Sequence, residues 1–330
     1  MNIKEVARVA KVSTATVSRT INGSNKVSDV TAARVRRAIE KLHYYPDTNA
    51  RALGSGRSNL YGLIISDITN PFFPELVRSF EDVAMRHGKE ILVANTGYDP
   101  VRAEQCAQRM LQRKVDGVAI MTSEMHSKLL EDFHQQRIPL IFLDTARSQN
   151  QISRIVIDYQ SGIEAAVNHL HSIGHTAIGF IAGPAKYHSA RIRHTAFLKA
   201  MRKRGLDIPP HFIPQGDHTI AGGYQAMNRI FAHSPFPKAV IASNDLSAIG
   251  ALRAIHEKGL RVPEDISLIG FDDITFSSYT QPPLTSVRIP RNQIAEIAFH
   301  ALVDMREKPS VAIHRIPTEL VIRQSTAPPL

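Results

Sequence analysis

Residues 3–22 read IKEVARVAKVSTATVSRTIN, and this stretch predicts two short helices joined by a tight turn. The first helix is predicted over 3–10 and the second over 14–21, with Ser13 as a suitable N-cap for the second. A small helical unit of this kind at a chain terminus has the dimensions to enter the major groove of DNA. Its inward-facing positions are predicted to be Val6, Val9, Ala10, Val17 and Ile21.

A third helix is predicted over 30–42, and Ser28 and Asp29 can cap its N-terminus. Pro46 ends the three-helix unit, because proline cannot continue a helix. The segment that follows, 47–57, reads DTNARALGSGR and is too short to be a stable helix alone. The inner stripe of the third helix is predicted to be Val35, Ile39 and Leu42.

The positive charge of the chain is concentrated in this N-terminal part. Residues 1–57 carry eleven Lys or Arg and four Asp or Glu, so they hold +7 of the formal net charge of +10. Such asymmetry indicates a polyanionic partner, and the helical pattern beneath the charge favours nucleic acid. A solvated basic face without a partner is the alternative, which charge alone does not exclude.

The composition is that of an ordinary globular protein. The chain has 330 residues, of which 43% are hydrophobic and 21% charged, and this length predicts two or three domains. Cys106 is the one cysteine, which rules out an internal disulfide and agrees with a reducing compartment. No apolar leader opens the sequence, and no window approaches the roughly 18 apolar residues of a membrane span. We therefore expect a cytoplasmic protein.

From residue 59 onward, short apolar runs alternate with helical patterns. Apolar strands separated by helices predict parallel sheets that are covered on both faces. The number of strand–helix units exceeds one comfortable sheet, so we infer two α/β lobes. The predicted strands are 61–66, 90–95, 117–121, 140–143, 155–157, 177–182, 239–242 and 266–271, and intervening helices include 73–87, 103–113, 162–173 and 247–258.

Residues just after these strands are candidates for a binding site, because ligands of such folds lie beyond the carboxyl ends of the strands. They are Asp67, Asn95, Asp144, the segment 184–193, Asn244, Asp245, Asp272 and Asp273.

An ordered set of short motifs runs along nearly the whole chain. In the N-terminal part it comprises VA at 6–7, VS at 12–13, TVSR at 16–19, Asn22, VS at 27–28, YP at 45–46 and NARAL at 49–53. In the rest it comprises DITNPFF at 67–73, VDG at 115–117, GH at 174–175, GP at 183–184, SND at 243–245, GLRVP at 259–263 and GFDD at 270–273. Any one motif is weak evidence, but in this order they resemble the lactose-repressor (LacI/GalR) family of bacterial transcription regulators.

The resemblance implies an N-terminal all-α helix-turn-helix domain followed by an α/β core of two doubly wound parallel-sheet lobes, which is periplasmic-binding-protein-like. We expect the DNA-binding domain over 1–46, a hinge helix or linker over 47–58, and the effector-binding and dimerisation core over 59–330. Lobe 1 is expected over about 59–159 and 289–318, and lobe 2 over about 160–288 and 319–330.

The function that the resemblance implies is a sequence-specific DNA-binding transcriptional regulator, in the form of a repressor. As a homodimer it would bind double-stranded DNA at a pseudo-palindromic operator, and a small sugar or sugar derivative between the lobes would control it. No cofactor, metal or membrane partner is expected. The sequence leaves the regulated genes and the sign of the effector open.

Three alternatives compete with this function. A purine-type co-repressor is the runner-up effector, and Tyr187 stands where purine-responsive members carry arginine, which disfavours purine. A solute-binding protein would need a secretion signal and has no use for a basic N-terminal unit. A sugar- or nucleoside-processing enzyme is disfavoured because the sequence has neither a Gly-x-Ser-x-Gly elbow nor a Gly-x-x-x-x-Gly-Lys loop.

The resemblance also assigns DNA contacts. Thr14, Ala15 and Arg19 are expected to read base edges, where Arg19 can donate to guanine O6 and N7. Lys11 stands where the family usually has glycine, so a left-handed backbone there would cost about 1 kcal/mol. Phosphate or capping contacts are expected of Thr16, Ser18 and Asn22, and minor-groove contacts of Asn49, Arg51 and an intercalating Leu53.

Effector contacts are expected in the core. The rigid guanidinium of Arg193 can bind two vicinal hydroxyls or a carboxylate, and Phe72 or Phe73 can form an apolar wall. His218 stands where the family often has an aromatic residue that stacks on the ligand. The expected set is Asp67, Phe72, Phe73, Asp144, Ser189, Arg191, Arg193, His218, Asn244 and Asp272. For Asp272 a capping role, and for the two phenylalanines a core role, are the structural alternatives.

Overall fold

The computed structural model describes residues 2–21, 23–45, 57–122, 127–144, 152–308 and 310–329. It divides into two compact units, Met1–Asn59 and Leu60–Leu330. The DNA contacts predicted for Asn22 and for Asn49, Arg51 and Leu53 of the hinge lie outside the described residues.

The described residues of the first unit form three helices, α1 (Ile3–Ala10), α2 (Thr14–Ile21) and α3 (Asp29–Lys41). A capping box starts α1: the Asn2 side chain accepts from the backbone N–H of Glu5, and the Glu5 carboxylate accepts from the N–H of Asn2. Ser13 caps α2 as predicted, because its Oγ accepts from the N–H of Thr16 at 3.1 Å.

The three helices enclose a small apolar core. Val17 and Val35 are fully buried in it, and Ile21, Ile39 and Leu42 pack against it while half-buried. The prediction for Val9 is wrong, since this side chain is 37% exposed. The buried face of α1 instead passes through Val6, Ala7 and Ala10, so Val9 lies at its edge.

The predicted cap of α3 is only partly right. Ser28 occupies the N-cap position, but its side chain makes no capping hydrogen bond. Its hydroxyl donates to the Thr31 hydroxyl at 3.0 Å instead. Asp29 is the first residue of the helix rather than its cap.

The second unit contains two sheets. The first sheet has the strand order β10-β5-β4-β3-β1-β2 and all its pairings are parallel. Its strands are β1 (Leu60–Ile65), β2 (Glu90–Asn95), β3 (Gly117–Met121), β4 (Leu140–Leu143), β5 (Ser153–Ile157) and β10 (Ile313–Ile316). The helices that accompany it are α4 (Phe72–Arg86), α5 (Pro100–Gln112), α6 (Ser127–Gln135) and α11 (Arg291–Glu307). Together these elements are the first lobe.

The second sheet has the order β11-β9-β8-β7-β6. Its strands are β6 (Ile178–Ile181), β7 (Ala239–Ala242), β8 (Ser267–Asp272), β9 (Thr285–Arg288) and β11 (Glu319–Val321). Its helices are α7 (Tyr159–Ser172), α8 (His188–Lys203), α9 (Ile220–Phe231) and α10 (Asp245–Glu257), with short 3₁₀ turns at Pro210–Phe212 and Thr275–Ser278. These elements are the second lobe, and their strands are parallel except that β11 runs antiparallel to β9.

The apolar pattern predicted the first eight strands of the chain but not the last three. The pattern located β1 to β8 to within about two residues but missed β9, β10 and β11. Both β10 and β11 are short edge strands with exposed residues, so they lack the continuous apolar run that marks a buried parallel strand. Because neither β9 nor β11 was predicted, their antiparallel pairing was not predicted either.

Within the described residues the chain passes between the sheets at three short links, residue 158, residues 289–290 and residues 317–318. This crossing brings the carboxyl ends of strands from both lobes toward a common cleft. A search of the described helices finds none that has both the length and the apolar character to span a membrane.

Candidate functional site

The first candidate site is the outer face of α2. Thr14, Ala15 and Arg19 are exposed there, whereas Val17 and Thr20 on the other face are buried in the unit. Burial of one face fixes the helix orientation and leaves the residues that were predicted to read bases on the solvent side. Thr16 and Ser18 are half-buried at the border, and the Thr16 hydroxyl bonds the Ser13 hydroxyl at 3.0 Å.

The turn before α2 has the left-handed backbone that was expected. Lys11 has φ 52° and ψ 48°, and its N–H donates to the carbonyls of Ala7 and Arg8 at the end of α1. A non-glycine residue in this region costs about 1 kcal/mol. The side chain of Lys11 is exposed, so the substitution for glycine leaves the core of the unit intact.

The second candidate site is a partly open cleft between the lobes. Its lining combines aromatic, hydroxyl, amide and charged side chains: Ser66, Asn70, Phe72, Phe73, Tyr98, Met121, Thr122, Leu143, Asp144, Tyr159, Tyr187, His188, Ser189, Arg193, His218, Asn244, Asp272 and Ile289.

Arg193 of α8 is the most constrained charged group of the cleft. Its side chain is buried, its Nη1 donates to the Ser243 carbonyl, and its guanidinium lies 4.6 Å from the ring centre of Tyr159. The ring of Phe271 lies below it at 4.4 Å. Burial alone would lower its pKa, but the carboxylate of Asp272 and other negative neighbours raise the pKa above its usual value. Nε makes no hydrogen bond with any described residue, so this donor is left for a ligand.

Two carboxyl groups accompany this guanidinium. Burial raises the pKa of Asp272 to about 6, although Arg193 opposes the shift. Burial also raises the pKa of Asp144, which accepts a hydrogen bond from the Tyr159 hydroxyl. One guanidinium with two carboxyl groups near it provides donors and acceptors for hydroxyl groups, and its positive charge is already balanced, which disfavours an anionic ligand.

His218 forms part of the wall above Gly183. A Cβ on Gly183 would lie 1.9 Å from Nε2 of His218, so only glycine allows the ring this position. Burial, reinforced by the charge of Arg193, lowers the pKa of His218 to about 3 and keeps the ring neutral. The side-chain amide of Asn244 donates to the His218 carbonyl at 3.0 Å, and its oxygen caps α10.

The structure brings eight of the ten predicted effector residues into this cleft and leaves two outside its lining. The Asp67 carboxylate accepts from the Thr69 N–H at 2.9 Å and from the Thr69 hydroxyl, which forms a local turn. Arg191 donates from Nη1 to the carbonyls of Ala185 and Lys186, at 3.0 and 3.2 Å. Both side chains thus stabilise loops beside the cleft.

Sequence reasoning missed several residues of the lining. Tyr98, Thr122 and Tyr159 each come within three residues of the end of β2, β3 or β5, so the rule that ligands bind beyond strand ends could have found them. Among the described residues no group of three or more His, Cys, Asp or Glu side chains is placed to hold a metal ion.

Comparison with known proteins agrees with this architecture. The sequence matches the family of bacterial regulatory proteins called lacI over residues 2–47, and a periplasmic binding protein-like domain over residues 167–326. It is 34% identical to the ribose operon repressor of Escherichia coli K12 over 95% of this chain and 96% of that one. It is also 34% identical to the transcriptional repressor PurR of Klebsiella pneumoniae over 98% of this chain and 96% of that one.

Solved structures show the same fold. A lac repressor dimer bound to operator and to the anti-inducer ONPF matches with a TM-score of 0.88 and 28% identity over 99% of both chains. A LacI-family regulator of Enterococcus faecium with bound ribose matches with a TM-score of 0.72 and 29% identity, over 82% of this chain and 99% of that chain.

The chain combines a helix-turn-helix unit with a two-lobed α/β core that contains a polar cleft. This is the architecture of a ligand-controlled transcriptional regulator. The chain belongs to the LacI family of bacterial regulatory proteins. It is therefore a DNA-binding regulator rather than an enzyme.

Proposed function

We propose that this regulator is a repressor whose effector is a small sugar-like molecule bound in the cleft between the lobes. The observation that carries the proposal is the buried guanidinium of Arg193, which has an unpartnered Nε and two carboxyl groups beside it. Carboxylates accept from hydroxyl groups and guanidinium donates to them, so this set suits a polyhydroxyl ligand.

The names of the relatives support a monosaccharide. One relative is a ribose operon repressor, and one structural neighbour contains ribose. D-Ribose is therefore the first compound to test. We propose eight residues as the effector contacts: Phe72, Phe73, Asp144, Ser189, Arg193, His218, Asn244 and Asp272.

On the DNA side, we propose that a homodimer binds a pseudo-palindromic operator. Thr14, Ala15 and Arg19 would read bases, and Thr16 and Ser18 would contact the backbone. The structurally similar lac repressor, which was solved as a dimer bound to operator, supports this arrangement. Such a regulator works where the chromosome lies, so we place it in the cytoplasm.

The division of the chain is part of the same proposal. It assigns DNA binding to 1–46, transmission to a hinge over 47–58, and effector binding and dimerisation to 59–330.

A purine co-repressor is the second candidate, since the chain is as similar to PurR as to the ribose operon repressor. Against it, the buried guanidinium of Arg193 and the carboxyl groups of Asp144 and Asp272 suit a ligand with several hydroxyl groups. Tyr187 adds a ring to the lining but no charged donor.

A thermal-shift screen tests the proposal directly, because a ligand that binds only the folded protein raises the melting temperature. The screen uses D-ribose, other monosaccharides, sugar acids, hypoxanthine and guanine, with Arg193→Ala as the matched control. A shift with a neutral monosaccharide that is lost in the variant supports the proposal. A shift with purines alone replaces it by the second candidate, and the absence of any sugar response contradicts it.

A further inference from the structure

Two tyrosines meet across the cleft. Tyr98 follows β2 in the first lobe, and Tyr187 is the N-cap residue of α8 in the second lobe. Their ring centres are 4.4 Å apart and the ring planes differ by 22°, so the rings are stacked. Both side chains line the cleft and are half-buried, so the stacked pair forms a partly exposed part of its wall.

The backbone that presents Tyr98 is unusual. Gly97 has φ 62° and Tyr98 has φ 59°, so a bulky aromatic residue adopts the left-handed conformation directly after a glycine that does the same. The turn is held by the Thr96 side chain, which accepts from the Tyr98 N–H at 3.3 Å, and by the Thr96 carbonyl, which accepts from the Asp99 N–H at 3.2 Å. Strain of this kind concentrates at ligand sites.

The backbone that carries Tyr187 is also held by hydrogen bonds. The N–H of Tyr187 donates to the Pro184 carbonyl at 3.0 Å, and Arg191 donates to the carbonyls of Ala185 and Lys186 just before it. Arg191 is thus a positioning residue for the loop that carries Tyr187. On the inner side, the ring of Tyr187 lies 6.2 Å from that of His218, so the aromatic surface continues into the cleft.

We propose that Tyr98 and Tyr187 set the upper size of the effector: a free monosaccharide fits beneath the stacked rings, and a sugar that carries a second ring is excluded. The inference rests on the proposed sugar site and adds a specificity determinant to it. An added ring would have to separate the tyrosines, which loses the stacking, whereas a single sugar ring leaves the pair in place.

The test compares D-ribose with uridine, which is the same sugar carrying a base on its anomeric carbon. Isothermal titration of the unaltered protein should show uridine binding at least about tenfold more weakly than D-ribose. Tyr98→Ala should bring the two dissociation constants to within about threefold, while Tyr98→Phe, which keeps the ring, should preserve the difference. An unchanged ratio in Tyr98→Ala overturns the proposal, as does an equal loss of affinity for both compounds, which would indicate a stacking platform.

A second measurement separates failure of the size limit from failure of the sugar site. The chain has eight tyrosines and can be labelled with 3-fluorotyrosine, each signal being assigned by its Tyr→Phe variant. In the ligand-free protein, Tyr98→Ala should change the fluorine chemical shift of Tyr187, because the substitution removes the ring that stacks on it. A stationary signal overturns the stacked pair whatever the ligand. A shifted signal in a protein that binds no sugar supports the pair and contradicts the proposed function instead.

Discussion

Arg193 and Asp272 face each other in the cleft with 3.6 Å between Nη2 and Oδ1, and each side chain is only 7% exposed. This separation is too long for a hydrogen bond, so the pair is held as neighbouring charges rather than as a closed ion pair. A hydroxyl group both donates and accepts, and one placed beside the pair could bond to both atoms. The two side chains therefore favour a hydroxyl-bearing effector.

Arg193→Ala should weaken effector binding by about 10- to 100-fold, because a charge-assisted hydrogen bond contributes about 1.5–3 kcal/mol. Titration calorimetry with the compound found in the screen measures the change. Arg202→Ala is the matched control, since Arg202 is an exposed residue in the last turn of the same helix and lies outside the cleft lining. Equal loss in the two variants, or normal binding by Arg193→Ala, would place the effector elsewhere.

Asp245 should make the protein less stable as the pH rises. It is fully buried and accepts from the Ile274 N–H and the hydroxyls of Ser277 and Ser286, and burial, with Asp272 adding to it, raises its pKa from the usual 3.8 to about 7. Between pH 3.8 and about pH 7, Asp245 is more often protonated in the native state than in the unfolded chain. The stabilisation from this group is therefore present below about pH 4 and is lost as the pH rises toward about 7.

Urea unfolding at pH 4.5 and pH 7.5 measures this effect as a difference between the unaltered protein and Asp245→Asn. The free energy of unfolding should fall by on the order of 2–3 kcal/mol more in the unaltered protein over this interval. The same pH slope in both proteins would show that Asp245 does not titrate there.

Much of this fold could be predicted because its signals are local. The helices of the N-terminal unit follow from caps and apolar spacing, and Ser13 performs the predicted role. Val9 and Ser28 could not be assigned from spacing alone, because the packing angle of three helices decides which side of α1 is buried and which hydroxyl reaches the backbone.

The cleft was predicted less completely, for a physical reason. Polar residues directly after strands, such as Asp144 and Asp272, were found because the topology of a parallel sheet places them. Tyr98 and Tyr187 are brought together by the approach of two lobes, which no local pattern encodes. Arg191 was expected to touch the effector because of the resemblance to the family, yet its side chain bonds to carbonyls of the preceding loop.

Lys11→Gly should stabilise the N-terminal unit by about 1 kcal/mol, because glycine adopts the left-handed conformation of this turn without the steric cost. Hydrogen exchange of the α1 and α2 amides in the full chain should slow by about fivefold. Lys26→Gly is the control, since Lys26 is exposed and does not have a positive φ, and it should give no protection. Faster exchange in Lys11→Gly would contradict the strain argument.

Arg19→Ala should remove discrimination between operator variants while leaving salt-sensitive DNA binding. A bidentate contact with guanine contributes about 1–3 kcal/mol, so the preference for the correct base pair should fall by about 5- to 100-fold. Competition gel shifts with single-base operator variants measure it. Lys41→Ala removes the same charge from the last turn of α3 and should weaken all duplexes alike. Retained discrimination in Arg19→Ala would limit this residue to phosphate contact.

The most direct test is the affinity for a selected duplex with and without the sugar that stabilises the protein. After selection from random duplexes, fluorescence anisotropy should show a pseudo-palindromic site bound at least about 1000-fold more tightly than random DNA. Adding the sugar should change this affinity by at least about tenfold in the unaltered protein and leave Arg193→Ala unaffected. No preference for any duplex, with or without sugar, would contradict the account.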